Sequence, residues 1–524
     1  MDDDATDGPD AGPDRRQALA LAGGALAGAV TAPSTGAAAT SAGPPVSDIV
    51  MMDAADLGAA IAARRVSCVE VMGAYLDHVD ALNPKVNAIV AQQDREGLMA
   101  QARTRDDQVA RGEIMGPLHG FPHAVKDLQW VKGIRSTSGS PILKDFVPTQ
   151  DTLPVERMRA AGAIFIGKTN TPEFGLGSHT YNPVYGATRG AYDQSRSAGG
   201  SSGGAAVSLA LRMLPVADGS DYGGSLRNPA GWNNVFGFRT SFGVVPAGGE
   251  EVWLPSMGVT GPMARTVDDL ARLLAVQAGY DPRAPLSTPG EGRRFLEPLG
   301  ADVKGKRVGW LGDLGGWAPY ENGVLEVCRE ALKAFEDLGC VVDDAVPDRP
   351  PEPAWQAFKT LRHWQAGGNL AIYYADPAKR ALMKPEAIWE VENGRKLTAF
   401  DVTGASTVRT AWSSSIRRLF DHHDYLIMPT AQVFAFDVNE TWPHEIAGQT
   451  MATYHEWMKA VCLVTMSGCP SLAAPAGFGA TGLPMGLQII APVGHEMDCL
   501  RLAHAYEGAT GWVAKHPPPL LANA

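Results

Sequence analysis

A lysine and two glycine-flanked serine segments are the residues of this chain whose types could support nucleophilic catalysis. Lys126 stands near the end of an apolar run in GFPHAVKD, Ser201 lies inside GGSSGG, and Ser225 follows a glycine pair in DGSDYGGSLRNPA. A serine hydroxyl becomes an effective nucleophile when a base takes its proton, and a lysine can be that base when burial keeps its amine neutral. These side chains are therefore candidates for acyl-transfer chemistry.

A second motif, GAIFIGKT at residues 162–169, fits the phosphate-loop pattern G-x-x-x-x-G-K-[ST] letter by letter. That pattern binds nucleotides when its x positions form a loop whose N–H groups surround the phosphates. Here the x positions are apolar residues typical of a strand, and Asn-Thr-Pro follows where a helix should begin. The sequence therefore predicts a buried strand with a structural Lys168, and no nucleotide site.

A third pattern offers a different nucleophile. GGSSG at residues 199–203 satisfies the nucleophile elbow G-x-S-x-G, which would make Ser201 the nucleophile of an esterase or α/β-hydrolase. Histidines that could complete such a triad follow later in the chain: His422, His455, His495 and His504. The residues before the motif do not form the apolar strand that an elbow requires, and no later histidine has a distinguishing context. This alternative stays open with weaker support.

Alternating strands and helices supply the framework that must position these residues. Apolar residues at helical spacing cover residues 54–82, with Ser67 as an N-cap. The strand-like runs are residues 118–127, 163–167, 303–310, 340–342, 425–429 and 486–491. This alternation predicts an α/β fold: a single large α/β/α domain whose central sheet is mixed, largely parallel, twisted and covered by helices on both sides. We place the domain at residues 46–520, with a more variable, substrate-facing helical region at about 280–455.

Composition excludes several classes of protein. The 524 residues are 45% hydrophobic and 19% charged, which is typical of a globular chain. A formal net charge of −12 repels phosphate backbones, so nucleic acid is not an expected partner. No run of about 20 apolar residues follows residue 45, so we expect no membrane span. Six cysteines without CxxC spacing predict buried thiols rather than a zinc site or a disulfide scaffold.

The first 42 residues differ from the rest. Arg15-Arg16 precedes a weakly apolar run at residues 18–30 and an Ala-rich exit that ends at Ala42. These features resemble a twin-arginine export signal and predict a periplasmic or extracellular enzyme. The alternative is a disordered, Ala-rich leader.

The lysine and serine motifs, in this order, resemble the amidase signature family. The likeness continues through residues 151–174, 261–270 and 468–490, and covers about residues 50–500. It implies a hydrolase that cleaves amide C–N bonds through a serine acyl-enzyme without a metal or cofactor. The expected partner is a small-molecule amide, arylamide, carbamate or cyclic amide, and the chain would be a monomer or homodimer. A further alternative, an amidotransferase subunit that passes ammonia to mischarged transfer RNA, is disfavoured by the leader and the acidic charge.

The resemblance also assigns roles to individual residues. Ser225 is the nucleophile, Ser201 is the bridging serine after a cis peptide bond, and Lys126 is the base. The oxyanion hole is assigned to the consecutive N–H groups of Tyr222, Gly223, Gly224 and Ser225. Because the family usually has a smaller residue at position 222, we expect Tyr222 to shape the pocket as well. Ser202 supports the site, and Asp221 with Arg227 either braces the loop or forms a purely structural ion pair.

Overall fold

Helices and strands alternate along the protein, whose computed structural model describes residues 46–249, 251–254 and 256–523. The helices are α1 (Val46–Met51), α2 (Ala54–Ala62), α3 (Cys68–Val86), α4 (Arg95–Ala110), α5 (Leu153–Ala160), α6 (Gly203–Ala210), α7 (Arg227–Trp232), α8 (Val267–Gln277), α9 (Val324–Ala331), α10 (Lys333–Asp337), α11 (Pro351–Ala375), α12 (Pro377–Arg380), α13 (Pro385–Gly394), α14 (Ala399–Leu419), α15 (Lys459–Ser467), α16 (Glu496–Thr510) and α17 (Trp512–Lys515). The strands are β1 (Ile89–Val90), β2 (Pro122–Lys126), β3 (Ile164–Thr169), β4 (Tyr181–Asn182), β5 (Gly186–Ala187), β6 (Ala217–Asp221), β7 (Phe236–Arg239), β8 (Val259–Ala264), β9 (Arg307–Trp310), β10 (Val341–Asp344), β11 (Tyr425–Pro429), β12 (Glu445–Ile446), β13 (Gln449–Thr450), β14 (Ser471–Phe478) and β15 (Pro484–Ile490). The predicted export leader, residues 1–42, lies outside the described residues.

An eight-stranded mixed sheet runs in the order β10-β9-β11-β15-β14-β7-β8-β6. Strand β9 pairs in parallel with β10 and β11, whereas the remaining neighbours pair antiparallel. The predicted α/β fold with a mixed sheet flanked by helices is confirmed, but the expectation of a largely parallel sheet is wrong. A short hairpin joins β14 to β15 and a loop joins β7 to β8. Such connections, made without a crossover helix, produce antiparallel neighbours.

A separate three-stranded sheet carries the candidate base. Strand β3 pairs in parallel with β2 and antiparallel with β1, and every residue of β3 is buried. The segment that matches the phosphate-loop pattern is therefore a buried strand, as predicted. Lys168 on this strand donates to the Gln129 carbonyl and to Ser136 Oγ, and its Nζ lies 3.6 Å from the Asp127 carboxylate. These contacts agree with the structural role predicted for Lys168.

Two clusters of buried apolar side chains hold the elements together. One packs around the three-stranded sheet with α2, α3 and α6, and the other packs around the eight-stranded sheet with α8, α11 and α16. The segment after β6 contributes Leu226 to the first cluster and Trp232 to the second, so the loop with Ser225 lies where the two clusters meet. Burial of both flanks fixes this loop.

Several local expectations can be checked directly. Ser67 caps α3 through a capping box, because its Oγ accepts from the Glu70 N–H (3.1 Å) and its own N–H donates to the Glu70 carboxylate (2.8 Å). The six cysteines are all buried and free. Among the described residues, no helix is long and apolar enough to cross a membrane.

Candidate active site

Lys126 is the last residue of β2 and is fully buried. Its N–H donates to the Asp218 carboxylate on β6 (3.3 Å), which ties the end of one sheet to the edge of the other. The Nζ atom lies 2.8 Å from Ser201 Oγ, 2.8 Å from Ser202 Oγ and 3.0 Å from Ser220 Oγ. The predicted pairing of the lysine with the GGSSGG segment is therefore present in the structure.

Burial sets the protonation state of this lysine. Desolvation of the ammonium lowers the pKa of Lys126 to about 7, although the negative charges of Asp218 and Asp221 act in the opposite direction. A neutral amine is therefore available near neutral pH. This is the electrostatic condition that a lysine base requires.

The two serine segments are joined by their backbones. The Ser202 N–H donates to the Ser225 carbonyl (3.2 Å), and the Gly200–Ser201 peptide bond is cis, as the resemblance implies. Ser201 is 2% exposed and Ser225 is 8% exposed, and of the two only Ser225 lines the pocket described below. Gly219 makes the close approach possible, because a Cβ there would lie 2.7 Å from Ser202 Oγ.

The predicted oxyanion loop follows β6 directly. Gly224 has a φ of +106°, and a Cβ there would lie 2.1 Å from Asn228 Oδ1 and 2.5 Å from a Val461 methyl group, so a side chain does not fit. The Gly224 N–H donates to Asp221 Oδ1 (2.9 Å) and is thus engaged. The described residues provide no acceptor for the N–H groups of Tyr222, Gly223 and Ser225. Three of the four predicted donors therefore have no hydrogen-bond partner among the described residues.

Asp221 holds this loop in place. Its carboxylate accepts from the Leu226 N–H (3.0 Å) and from Arg227 Nε and Nη2 (3.0 and 2.9 Å), and Arg239 Nη1 lies 3.3 Å away. Burial alone would raise the pKa of Asp221, but the charges of Arg227 and Arg239 hold it well below its usual range. The permanently ionised carboxylate braces the loop from behind. Two expectations apply to Asp221 and Arg227, a brace for the loop and a structural ion pair. The observed contacts fit both expectations.

The elbow alternative finds less support in the surroundings of Ser201. Residues 190–200 form turns and isolated bridges, where an elbow would require a strand. Ser201 Oγ contacts the lysine amine, whereas exposed His495 pairs with Asp498. His455 lies in the wall of the pocket described below. In the part of the chain that the structure describes, no group of three or more His, Cys, Asp or Glu side chains could hold a metal ion.

Comparison with known proteins decides the family. The model of the amidase family matches residues 70–500. The chain belongs to the amidase family. An acylamidase of Rhodococcus erythropolis is 34% identical over 481 residues, which cover 90% of this chain and 98% of that protein. A glutamyl-tRNA(Gln) amidotransferase subunit of Carboxydothermus hydrogenoformans is 32% identical over 495 residues, covering 90% and 99%.

Solved structures agree with this assignment to the amidase family. The structure of a bacterial aryl acylamidase of the amidase signature family superposes with a TM-score of 0.83 at 27% identity, covering 89% of this chain and 98% of that chain. The likeness thus extends over the whole α/β domain. The class of reaction that the sequence predicts, hydrolysis of C–N bonds, is that of this family.

The amidase site opens into a pocket of about 20 Å³, enough for about one or two water molecules. Its wall contains Tyr222, Gly223 and Ser225 from the oxyanion loop, together with Phe358 and Arg362 from α11. The ring of Tyr222 packs edge-on against Phe358 at 6.1 Å, and its face receives the Arg362 guanidinium at 4.6 Å. Tyr222 therefore shapes the pocket, as expected.

A buried carboxylate lies behind this wall of the amidase pocket. Glu390 on α13 accepts from His363 Nδ1 (2.6 Å), from the Tyr454 hydroxyl and from Arg362 Nε (3.4 Å), and His455 Nε2 lies 3.0 Å from it. Burial would raise the pKa of Glu390, but these histidines and Arg362 hold it well below its usual range. Glu390 is thus a carboxylate that orients several wall residues at once.

Sequence reasoning missed Arg362, Glu390, Tyr454 and Asp218, and it named His455 only as a possible member of a hydrolase triad. The helical region at about 280–455 is predicted to face the substrate, and α11 does line the pocket, but no motif marks Arg362, Glu390 or Tyr454. The one signal that the sequence offers is an Arg or Glu on the apolar face of a predicted helix. Such charged residues are rarely buried unless they are paired. The sequence alone does not identify the partners.

Proposed function

We propose that this chain hydrolyses the C–N bond of a small amide through an acyl-enzyme formed on Ser225. Ser201 relays the proton and Lys126 is the base. The observation that carries the proposal is the 2.8 Å contact between Lys126 Nζ and Ser201 Oγ at a buried amine whose pKa is lowered to about 7. The acylamidase and aryl acylamidase relatives support an amide, and an anilide in particular, as the first substrate to test.

The hydrogen bonds around Nζ favour a lone pair that points to Ser201. A neutral amine has two N–H groups and one lone pair, and Ser202 Oγ and Ser220 Oγ are placed to accept the two N–H groups, with the Ser220 carbonyl (3.3 Å) as a further acceptor. The Ser202 hydroxyl donates to the Ser220 carbonyl (3.3 Å), and its oxygen accepts from the Ser220 N–H (3.3 Å) and has a second lone pair for Nζ. The lone pair then remains for the Ser201 proton.

The reaction would proceed in two halves. Lys126 takes the proton of Ser201, which takes the proton of Ser225 as its oxygen attacks the carbonyl carbon. The N–H groups of Tyr222, Gly223 and Ser225 stabilise the resulting oxyanion. The proton returns through Ser201 to the leaving nitrogen, the C–N bond breaks and an ester to Ser225 remains. Water then attacks this ester along the same proton path and releases the acid.

Two variants and one reagent test the proposal. We expect Ser225→Ala to lower kcat on an anilide by about 10³-fold or more. Ser208→Ala is the matched control, because this buried serine donates to its own helix at the Gly204 carbonyl and should retain the activity. A serine-directed inhibitor should modify Ser225, as read by peptide mass spectrometry. Modification of Ser201 instead would establish the elbow mechanism of an esterase or α/β-hydrolase.

A second candidate function is that of an amidotransferase subunit. It is favoured by the extent of the similarity to the glutamyl-tRNA(Gln) amidotransferase relative, and disfavoured by the net charge of −12. Purification from its native host would separate the two functions. An amidase is expected to purify alone and to cleave anilides, whereas copurifying partner subunits together with transfer RNA-dependent use of glutamine would favour the amidotransferase.

We also propose that the enzyme is exported. Arg15-Arg16, the apolar run at residues 18–30 and the exit that ends at Ala42 support this proposal. The amino terminus of protein recovered outside the cytoplasm is the direct measurement, and it should lie near residues 40–43. A mature chain that still starts at Met1 would contradict it.

A further inference from the structure

Arg362 is the one permanently charged side chain among the described residues that line the amidase pocket. It shares that pocket with Ser225 and is 12% exposed, whereas Glu390 behind it is fully buried. A guanidinium that lines a pocket beside the proposed nucleophile is a candidate ligand contact when its N–H groups are only partly used within the protein. Packing against the Tyr222 ring fixes its plane but uses none of its N–H groups.

The contacts of Arg362 leave donors for a ligand. Its Nε donates to Glu390 (3.4 Å), and the Tyr454 hydroxyl is a further partner. Because a guanidinium has five N–H groups, these two contacts leave several unused. The rigid fork of Arg suits planar oxygen acceptors, so an oxygen of that type is the ligand group that these N–H groups would bind best.

Charge decides which oxygen fits. Glu390 already neutralises Arg362, and its other partners, His363, His455 and Tyr454, hold it as a carboxylate. A second carboxylate, brought by a substrate, would enter the pocket without a counter-ion of its own. A neutral carbonyl oxygen needs only the free N–H groups.

We propose that Arg362 binds a second, neutral carbonyl of the substrate, so that the enzyme prefers amides that carry another amide or ester carbonyl near the scissile bond. This inference rests on the proposed function, since it places the second carbonyl in the pocket that contains Ser225. The pocket has room for about one or two water molecules, so a substrate would need more space, and Met458 in the same wall is an unbranched side chain that could move to provide it.

Isosteric substrate pairs test the proposal on both sides of the scissile bond. On the acyl side, the 4-nitroanilides of succinamic acid and 4-methylpentanoic acid differ by CONH₂ against CH(CH₃)₂. On the leaving-group side, N-butyrylglycinamide and N-butyrylisobutylamine differ in the same way. In at least one pair we expect kcat/KM to favour the carbonyl-bearing member by about 10- to 100-fold. The succinic 4-nitroanilide, which replaces CONH₂ by a carboxylate, should react more slowly than the succinamic one.

Variants assign the preference to Arg362. Arg362→Met should reduce the preference to about threefold or less, since it removes the donors and keeps a long apolar side chain. If the unpaired Glu390 unfolds that variant, Arg362→Met combined with Glu390→Gln restores electrical neutrality and should show the same loss. Arg409→Met is the control, because Arg409 contacts Ser256 and the Met466 carbonyl instead of the pocket, and the preference should persist.

The outcomes separate this inference from the proposed function. If wild-type enzyme cleaves both members of every pair equally, in a manner that Ser225→Ala abolishes, Arg362 does not bind a second carbonyl and the amidase proposal stands. A preference that survives in both Arg362 variants likewise overturns the inference. If no substrate is cleaved faster by wild-type enzyme than by Ser225→Ala, the proposed function itself fails.

Discussion

The protonation state of the Lys126 amine allows a quantitative prediction of how kcat/KM depends on pH. Burial lowers its pKa to about 7. At that pKa about 90% of the amine is neutral at pH 8 and about 10% at pH 6. A lysine with the ordinary pKa of ~10.4 would be about 0.4% neutral at pH 8. Burial therefore supplies about 200 times more active base at pH 8.

The assay is the initial rate of 4-nitroaniline release from one anilide, measured from about pH 5.5 to about pH 9.5 at constant ionic strength. Because the free base is the active form, kcat/KM should rise with pH and level off, with a midpoint near the pKa of Lys126, about 7. Circular dichroism at both ends of the range shows whether the fold persists. A value of kcat/KM that still rises at the upper end of this range without levelling off would mean that burial does not set the state of the amine.

Lys126→Arg is the decisive variant. It preserves a positive charge but cannot act as a base, since a guanidinium stays protonated at any workable pH. We expect a loss of about 10³-fold or more and no rising limb. Retention of more than about a tenth of the activity would remove Lys126 from the mechanism and would favour a histidine base instead.

Three further predictions concern the surroundings of the site and the leader. Ser202→Ala should lower kcat about tenfold and move the pH midpoint to lower pH, because the lost oxygen stabilises the ammonium more than the amine; an unchanged pH profile would contradict this. Asp221→Asn should lower the free energy of unfolding in urea by about 3–5 kcal/mol, since it leaves Arg227 and Arg239 without a buried counter-ion, whereas Asp348→Asn at the exposed pair with Arg418 should leave the urea midpoint almost unchanged. Replacing Arg15 and Arg16 by Lys should keep the protein in the cytoplasm; equal export of this variant and wild type would argue for a plain leader.

Several strands with continuous apolar runs could be predicted from sequence, whereas β14, which is interrupted by Pro475, and β6, which has no such run, were missed. The apolar run YLIMP predicts a buried strand at residues 425–429, and these are the bounds of β11 in the structure. Strand β6 escapes prediction because its sequence ADGSD has no apolar pattern, although all of its residues but Ser220 are buried. This segment has low strand propensity. It forms a strand because it pairs with β8 and because Asp218 contacts His123 and Lys126.

The same distinction applies to the site. Lys126, Ser201 and Ser225 lie in glycine-rich or strand-end motifs that are visible over a few residues, and the structure brings Lys126 and Ser201 into contact. Arg362 and Glu390 lie in helices where the periodic pattern indicates no more than a buried face. Their meeting depends on how α11 packs against α13, and no local pattern encodes that packing.

The two sides of the pocket come from separate stretches of the chain, and this separation has a consequence for engineering. The proposed base, relay and nucleophile all lie between β2 and α7, whereas Phe358 and Met458 belong to segments more than a hundred residues further along. A combinatorial library at these two positions would alter the room for the acyl or leaving group without changing any proposed proton-transfer contact. Because neither residue lies in the oxyanion loop, new substrate ranges should arise here at little cost in turnover, which makes this wall the place to begin directed evolution.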